Sequence, residues 1–187
     1  IAVIGTDCED NKNLVTGDPV AGAQMENKKS VKKMRMPDAS FLHEVLQEAE
    51  VVLIEADGAK HLPCKVPIEK EPVIIPECTD VIAVMGMDAL GKPLEEVCFR
   101  KDLAVQFLNT SYKHLMAEED IVKILSSVQG ARKGVEEREY YVVLNKCDDE
   151  IRKERAGKIR SLLKEQGIEN VMITSHENRQ NELKKYF

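Results

Sequence analysis

The sequence has no apolar run close to the roughly 20 residues that a membrane-spanning helix needs, and it has no signal-peptide pattern. Its five cysteines are widely spaced and form no Cys-x-x-Cys pair, so neither a zinc site nor a disulfide framework is indicated. Basic residues are outnumbered by acidic ones, and the net charge of -6 argues against a general nucleic-acid binder. We therefore expect a protein of the reducing cytoplasm.

Strands and helices are predicted to alternate along the 187 residues, a length that suits a single domain. The strands have apolar cores without a period of two, which is typical of strands buried in a parallel sheet. The ranges with strand character are 1–4, 51–54, 81–86, 140–145 and 171–174. The ranges with helical periodicity are 38–49, 99–108, 118–128, 149–166 and 177–185. This order predicts an α/β fold in three layers, with a mainly parallel sheet and helices on both faces.

The stretch Val51-Val-Leu-Ile-Glu-Ala-Asp-Gly-Ala-Lys60 places two acids directly after an apolar run. We predict that 51–54 form a strand buried on both faces, with Glu55 and Asp57 at its carboxyl end. Open α/β sheets bind ligands at that end, and P-loop NTPases hold magnesium with an acid in this position. The alternative is a strand that ends in an ordinary polar turn, because Asp-Gly is a common turn dipeptide.

A second polar motif, Asn145-Lys-Cys-Asp148, closes the strand predicted at 140–145. It fits the Asn-Lys-x-Asp pattern with which GTPases recognise guanine. A carboxylate in the plane of guanine can accept hydrogen bonds from two base nitrogens, a donor pair that adenine lacks. Lys146 can lie over the base, Asn145 can tie neighbouring loops together, and Ser175 lies where such proteins have a second base-contacting loop. The alternative is that Asp148 is only the N-cap of the following helix.

The phosphate-binding sequence Gly-x-x-x-x-Gly-Lys-Ser/Thr does not occur between Ile1 and Phe187. The chain also begins without a methionine, on residues with strand character. Two interpretations remain open: the loop belongs to an upstream part that this sequence does not represent, or the chain does not bind triphosphates in this way. On the first interpretation, residues 1–187 are a single P-loop NTPase-like α/β domain that lacks its N-terminal part.

Three groups of residues carry a resemblance to a known family: Glu55-Ala-Asp-Gly-Ala-Lys60; the set Pro63, Lys65, Pro67, Glu71-Pro72 and Pro76; and Met87-Asp-Ala-Leu-Gly-Lys-Pro-Leu94. In order and spacing they resemble the YqeC-like family over residues 51–149. The members are accessory proteins for selenium-dependent molybdenum hydroxylases, and the family resembles the P-loop NTPases of metallocofactor assembly. The chain departs from its relatives at Val97-Cys-Phe-Arg100, where they tend to have a histidine before the arginine.

The resemblance implies roles for individual residues. Asp57 and Glu55 would be the catalytic and metal-binding acids near Mg²⁺ and the γ-phosphate of GTP or ATP. Asp57 is favoured of the two, because its glycine neighbour leaves room for a phosphate. The other residues expected in the ligand loops are Gly58, Lys60, Lys65, Asp88, Gly91 and Arg100.

The function implied by the resemblance is that of a GTP- or ATP-dependent accessory protein in the maturation of a selenium-dependent molybdenum hydroxylase. Nucleotide hydrolysis by the full-length form would gate transfer of a cofactor or modifying group, through ordering of the Asp57 and Asp88 loops. The alternative is a non-hydrolysing binding module or chaperone that holds the cofactor or docks the hydroxylase. The nucleotide hypothesis requires Asp57, Asp88 and Asp148 to surround one cavity at one rim of the sheet. Cys64 is expected to be a packing residue, with a reactive thiol as the alternative.

Overall fold

The structure is a computed structural model that describes residues 38–175 throughout, together with the backbone of short strands at 2–3, 6–7 and 34–35. The chain divides into two compact units, Ile1–Glu55 and Ala56–Phe187, and each is described by itself. Both units combine helices with short strands. The α/β class is therefore confirmed, whereas the single-domain organisation stays a prediction.

In the described residues of the N-terminal unit there are two pairs of short strands and one helix. Strand β1 (Ala2–Val3) pairs in parallel with β4 (Val52–Leu53), and β2 (Thr6–Asp7) pairs antiparallel with β3 (Met34–Arg35). Helix α1 spans Ala39–Glu48.

The start of α1 follows directly from the sequence. Asp38 is its N-cap, and its carboxylate accepts a hydrogen bond from the backbone N–H of Phe41 at 2.9 Å, which satisfies one of the free donors of the first turn. The strand predicted at 51–54 is shorter than expected, and it is not buried on both faces. Val51 and Leu53 are 49% and 46% exposed, and among the described residues β4 pairs only with β1.

The main sheet of the C-terminal unit is parallel and has the strand order β6-β8-β9. Its strands are β6 (Asp80–Gly86), β8 (Glu139–Asn145) and β9 (Val171–Ile173). All three lie where the sequence predicts them. The register pairs Gly86 with Asn145 and Leu144 with Ile173, so the carboxyl ends of the three strands meet at one rim.

A second, smaller parallel pair joins two segments that are far apart in the sequence. Strand β5 (Cys64–Lys65) lies inside the proline-rich passage and pairs with β7 (Cys98–Phe99). The helices of this unit are α2 (Leu94–Val97), α3 (Lys101–Leu108), α4 (Glu118–Ser126) and α5 (Glu150–Glu165). The three longer ones confirm predicted helices, and the helix predicted at 177–185 lies outside the described residues. No helix in the described part of the chain is long and apolar enough to span a membrane.

The helices cover one face of the main sheet. On that face Tyr140, Val142 and Leu144 of β8 are buried, and the Tyr140 hydroxyl donates a hydrogen bond to the carbonyl of Leu125 in α4 at 2.8 Å. Helix α5 packs against α4 and β9.

The opposite face of the main sheet remains half exposed. Its large apolar side chains include Ile82, Val84 and Met172, which are 51%, 60% and 46% exposed. Strand β6 is therefore not buried on both faces. The described residues of the C-terminal unit form two layers at this sheet, and the third layer that the sequence predicts is not among them.

Candidate functional site

The polar loops of the C-terminal unit meet at the carboxyl rim of the main sheet. Asp88 follows β6 in a short 3-10 turn, and Asp148 follows β8. The backbone N–H of Gly86 donates to the carbonyl of Pro63 at 2.8 Å, which holds the residue ahead of β5 beside the end of β6. The parallel topology thus brings Asp88 and Asp148 to the same rim. The strand ahead of Asp57, β4, pairs with β1 and is not part of the main sheet in the described structure, so the meeting of all three acids around one cavity stays a prediction.

The loop Asn145–Asp148 is tied to the segment that follows β9. The side-chain oxygen of Asn145 accepts hydrogen bonds from the backbone N–H of Lys146 at 2.8 Å and from the hydroxyl of Thr174 at 3.0 Å. The backbone N–H of Cys147 donates to the carbonyl of Thr174 at 3.0 Å. Asn145 therefore connects the two loops, which is the role that its motif predicts.

Asp148 is not the helix cap. The N-cap of α5 is Asp149, whose carboxylate accepts from the backbone N–H of Arg152 at 2.8 Å. Asp148 instead accepts a hydrogen bond from the hydroxyl of Ser175 at 2.7 Å, and its second oxygen lies 3.6 Å from the guanidinium of Arg152. The alternative interpretation, in which Asp148 serves only to cap α5, is wrong.

Lys146 links this loop to Asp88. Its backbone has φ 62°, a left-handed conformation that few side chains adopt without strain, and its ammonium group donates to Oδ2 of Asp88 at 2.8 Å. The other oxygen of Asp88 is buried without a hydrogen-bond partner in the described structure. It packs so closely on Gly86 that a Cβ added there would lie 2.5 Å away.

A second group of charged residues, here called the ionic cluster, consists of Asp57, Lys65, Glu71 and Arg100. The ammonium group of Lys65 contacts Asp57, donates to the carbonyl of Gly58 at 3.1 Å and lies 2.8 Å from Glu71. Arg100 donates to the second oxygen of Glu71 at 2.6 Å. Burial opposes ionisation of Glu71, but the hydrogen bonds from Lys65 and Arg100 outweigh it and hold the pKa of Glu71 below its usual range.

Three cations surround the ring of Phe99 beside this cluster. The charged groups of Lys60, Lys65 and Arg100 lie 5.1, 5.3 and 5.0 Å from the ring centroid, within the range of cation–π attraction. Lys60 and Arg100 have φ of 49° and 66°, and Nε of Arg100 is buried without a hydrogen-bond partner in the described structure. The three cations and the two carboxylates Asp57 and Glu71 leave this group of residues with an excess of one positive charge.

Not every predicted site residue joins these groups. Glu55 is exposed and belongs to the N-terminal unit, so its pairing with Asp57 at a metal stays a prediction. Gly91 has φ 75° and donates its backbone N–H to Met116 at 2.9 Å, which makes it a turn residue. Glu71 and Phe99 were not predicted as site residues. The available signals were the place of Glu71 in one of the family motifs and the position of Phe99 directly before Arg100.

A cavity of about 250 Å³ lies at the other end of the main sheet, beside the start of β8. Its lining includes Arg132, Tyr140 and Asn170. The guanidinium of Arg132 lies 5.8 Å from the ring centroid of Tyr140. This cavity is remote from the rim that carries Asp88 and Asp148, so it is not the cavity that the nucleotide hypothesis requires.

The rim offers Mg²⁺ at most a partial set of ligands. Among the described residues, no group of three or more His, Cys, Asp or Glu side chains is placed to hold a metal ion. Asp57 is engaged by Lys65, so a metal ion on Asp57 would have to share that carboxylate with the lysine. Mg²⁺ commonly uses one or two carboxylates and completes its shell with water and phosphate oxygens. Asp57 fits only that mode of binding.

These features define an α/β protein with charged loops at the carboxyl ends of its parallel strands. A family model described as "YqeC protein" matches residues 4–102, which is more than half of the chain. The chain therefore belongs to the YqeC family. The match begins well before residue 51, where the resemblance was expected to start. It includes the ionic cluster and Asp88 but ends before the Asn145–Asp148 loop.

The chain is also similar to a protein of Escherichia coli (strain K12) named "Uncharacterized protein YqeC". The two are 37% identical over 89 residues, which are 47% of this chain and 35% of the relative. The match thus spans about a third of the length of the curated relative. No solved structure matches the chain significantly.

Proposed function

We propose that this YqeC-family chain binds a guanine nucleotide through the Asn145–Asp148 loop and serves as an accessory protein in the maturation of a selenium-dependent molybdenum hydroxylase. One observation supports the binding of guanine. Asp149 caps α5, so Asp148 is not needed as the helix cap and is instead held by a hydrogen bond from Ser175. The hydroxylase or its cofactor as partner, and the cytoplasm as location, are proposed from the family resemblance alone.

The proposed recognition uses hydrogen bonds in the plane of the base. Guanine presents two adjacent N–H donors, and the carboxylate of Asp148 can accept from both. The Ser175 hydroxyl restricts the rotation of that carboxylate, so less conformational entropy is lost on binding. Asn145 keeps the loop attached to the segment after β9, which holds Asp148 in place relative to the rim.

The proposed position of the phosphates is the surface formed by Lys60, Lys65 and Arg100 around Phe99. Its three cations can attract a polyphosphate, and Lys146 connects the base loop with Asp88 in the turn after β6. Mg²⁺, when bound to the phosphates, would neutralise part of their charge. Asp57 can contribute one carboxylate oxygen to such an ion. A P-loop NTPase-like fold is part of this proposal.

One observation favours the second candidate, a module that binds its ligand without hydrolysis. The Asp57 carboxylate contacts Lys65, and Lys65 also reaches Glu71 and the carbonyl of Gly58. The side chain of Lys65 is only 8% exposed. A carboxylate that is neutralised by such a buried lysine is poorly available to a metal ion or to an attacking water. On this candidate the ionic cluster is a binding surface rather than a catalytic one.

The substitution Asp148→Asn tests the base assignment. The amide keeps one acceptor but replaces the other with a donor, and this matches xanthine, which has a carbonyl where guanine has its amino group. We expect the GTP affinity to fall about 10- to 100-fold, from the loss of a charged hydrogen bond, and the affinity for XTP to rise. Calorimetry of the full chain with GTP, XTP and ATP in the presence of Mg²⁺ measures both changes.

Asp149→Asn is the matched control. It removes the same charge one residue away, and asparagine remains a good helix cap, so both nucleotide affinities should stay within about twofold. If Asp148→Asn binds GTP as tightly as the original chain, the guanine assignment is wrong. Equal losses in the two variants would point to general electrostatics instead of base recognition.

A further inference from the structure

Cys64 and Cys98 face each other in the parallel pair of β5 and β7. They are direct partners in the strand register, although they lie in separate loops of the sequence, and each is only 2% exposed. Cys64 donates a hydrogen bond to the carbonyl of Val97, and Cys98 to that of Phe99. Nothing in the sequence predicts that these two thiols are neighbours; the pairing of β5 with β7 brings them together.

The strand pairing brings the Cα atoms of the two cysteines to the spacing that a disulfide requires. Neighbouring strands lie about 4.8 Å apart, and paired residues project to the same face. A disulfide needs Cα atoms about 4.4–6.8 Å apart and Cβ atoms that face each other. The other described cysteines are engaged elsewhere, since Cys78 donates to Asp80 and Cys147 to Leu144.

The two thiols also influence each other's ionisation. The interaction with Cys98, together with burial, raises the pKa of Cys64. The interaction with the neighbouring thiol of Cys64, assisted by the backbone N–H of Val66, outweighs burial and lowers the pKa of Cys98. A thiolate is the species that attacks a disulfide, and the lowered pKa of Cys98 agrees with its role as the attacking thiol in the exchange below.

We propose that Cys64 and Cys98 form a reversible disulfide by exchange with a small-molecule disulfide. The Cys98 thiolate attacks one sulfur of the external disulfide, and the S–S bond breaks to release one external thiolate. The Cys64 thiol then loses its proton and attacks the Cys98 sulfur of the mixed disulfide, releasing the second external thiolate. Two cysteine thiols are oxidised, one external disulfide is reduced to two thiols, and the two cysteine protons pass to the leaving thiolates.

The modification acts next to the ionic cluster. Lys65 and Phe99 directly follow Cys64 and Cys98, and they are partners in the same register. Each strand has only two residues, so few backbone hydrogen bonds must open for the reagent to reach the sulfurs. Once formed, the bond fixes the strand of Lys65 to the strand of Phe99 and Arg100.

The test uses the full chain without substitutions. It is equilibrated with mixtures of oxidised and reduced glutathione, alkylated with N-ethylmaleimide in denaturant so that buried thiols react, and digested for mass spectrometry. We expect the number of alkylated cysteines to fall from five to three, with Cys64 and Cys98 in one linked peptide pair. Dithiothreitol should restore all five.

Two variants and a chelator complete the design. Cys98→Ala should abolish the loss of alkylation, whereas Cys78→Ala, which changes a thiol outside the pair, should leave the Cys64–Cys98 link intact. The proposal is overturned by unchanged alkylation, by glutathione attached to Cys98 without a link, or by a link to any other cysteine. It is also overturned if a chelator, and not a reductant, restores alkylation, since that would show a soft metal ion between the sulfurs. If Cys98→Ala does not fold, the peptides of the unsubstituted chain decide.

Discussion

Lys65 is the residue on which the ionic cluster depends. Its side chain is 8% exposed and contacts two carboxylates and a backbone carbonyl. Asp57 and Glu71 are themselves about 20% exposed. Both carboxylates lose most of their contact with water on folding, and the contact with Lys65 compensates for part of that loss. Removal of one partner from such a pair leaves an uncompensated charge, which costs more than the pair contributes when intact.

We predict that Lys65→Met lowers the free energy of unfolding by about 2–3 kcal/mol, because the partly buried Asp57 loses its cation and Glu71 keeps only Arg100. Lys60→Met makes the same chemical change at an exposed position, where only the contact with Phe99 is lost. It should cost less than about 1 kcal/mol. Urea unfolding of both variants measures the difference. Similar costs for the two substitutions would show that the ionic cluster does not stabilise the fold.

Glu118 and Arg155 form another ion pair, between α4 and α5. Two parallel hydrogen bonds of 2.8 Å join the guanidinium to the carboxylate. These bonds from Arg155 outweigh burial and lower the pKa of Glu118 to about 2. A bidentate pair of this kind is stronger than an ordinary surface ion pair.

The lowered pKa makes a prediction about stability in acid. The contribution of this pair is complete above the unfolded-state pKa of 4.5 and is lost as the pH falls from about 4.5 to about 2. We expect the loss to be about 1–2 kcal/mol after allowance for partial exposure. Glu118→Gln should flatten this part of the curve of unfolding free energy against pH, whereas Glu119→Gln, at an exposed neighbouring position, should not.

At the scale of single elements, replacement by alanine is expected to have opposite effects at two glycines of the C-terminal unit. Gly130 is buried, and a Cβ added there would collide with the carbonyl oxygen of Ile124. Gly157 lies inside α5, and a Cβ added there meets nothing within 4 Å. The same methyl group is therefore excluded at one site and accommodated at the other.

We predict that Gly130→Ala lowers the free energy of unfolding by about 1–3 kcal/mol, because the backbone of α4 must shift. Gly157→Ala should raise it by about 0.5–1 kcal/mol, since alanine is the better helix former. Thermal or urea unfolding of the two variants gives the signs. Two changes of the same sign would contradict the packing described at Gly130.

The sequence predicts those parts of the fold that depend on local chemistry. Asp38 is a clear helix start, and the strands β6 and β8 lie where apolar runs indicate them. Between the neighbouring acids Asp148 and Asp149, however, both can cap a helix. The sequence cannot say which one does so, because the choice depends on where the chain leaves β8.

The ionic cluster and the thiol pair were beyond prediction for a different reason. The strands β5 and β7 have two residues each, too few for any periodicity to appear in the sequence. Their pairing is a contact between distant segments, and it alone determines that Lys65 meets Phe99 and that Cys64 meets Cys98. The prediction that β4 and β6 are buried on both faces was wrong. An apolar run shows that a strand is hydrophobic, but it does not show whether helices cover one face of the sheet or both.

For the C-terminal unit as a whole, β8 is the centre of stability. It is paired with β6 along its whole length and with β9 at Val142–Leu144, and Tyr140, Val142 and Leu144 are buried under the helices. Strand β6 has β8 on one side, and in the described structure its other edge is held at Gly86 by Pro63. Protection from solvent should therefore fall from β8 towards β6.

We predict that the backbone amides of β8 exchange with deuterium more slowly than those of β6, by at least tenfold in the strand averages. Exchange from a central strand requires opening of the whole unit, whereas an edge strand can open locally. Hydrogen exchange followed by mass spectrometry or NMR measures this. Equal rates in the two strands would mean that the outer edge of β6 is paired in solution.

The half-exposed face of the main sheet also determines how the chain behaves as a solute. Ile82, Val84 and Met172 keep about half of their surface in contact with water, and hydrating that surface becomes less favourable as sulfate is added. Mutual repulsion among chains with a net charge of -6 is screened over the same range of salt. Precipitation by ammonium sulfate should accordingly begin with the association of molecules through the face that carries these three side chains. The apolar face, and not the net charge, then sets the solubility limit.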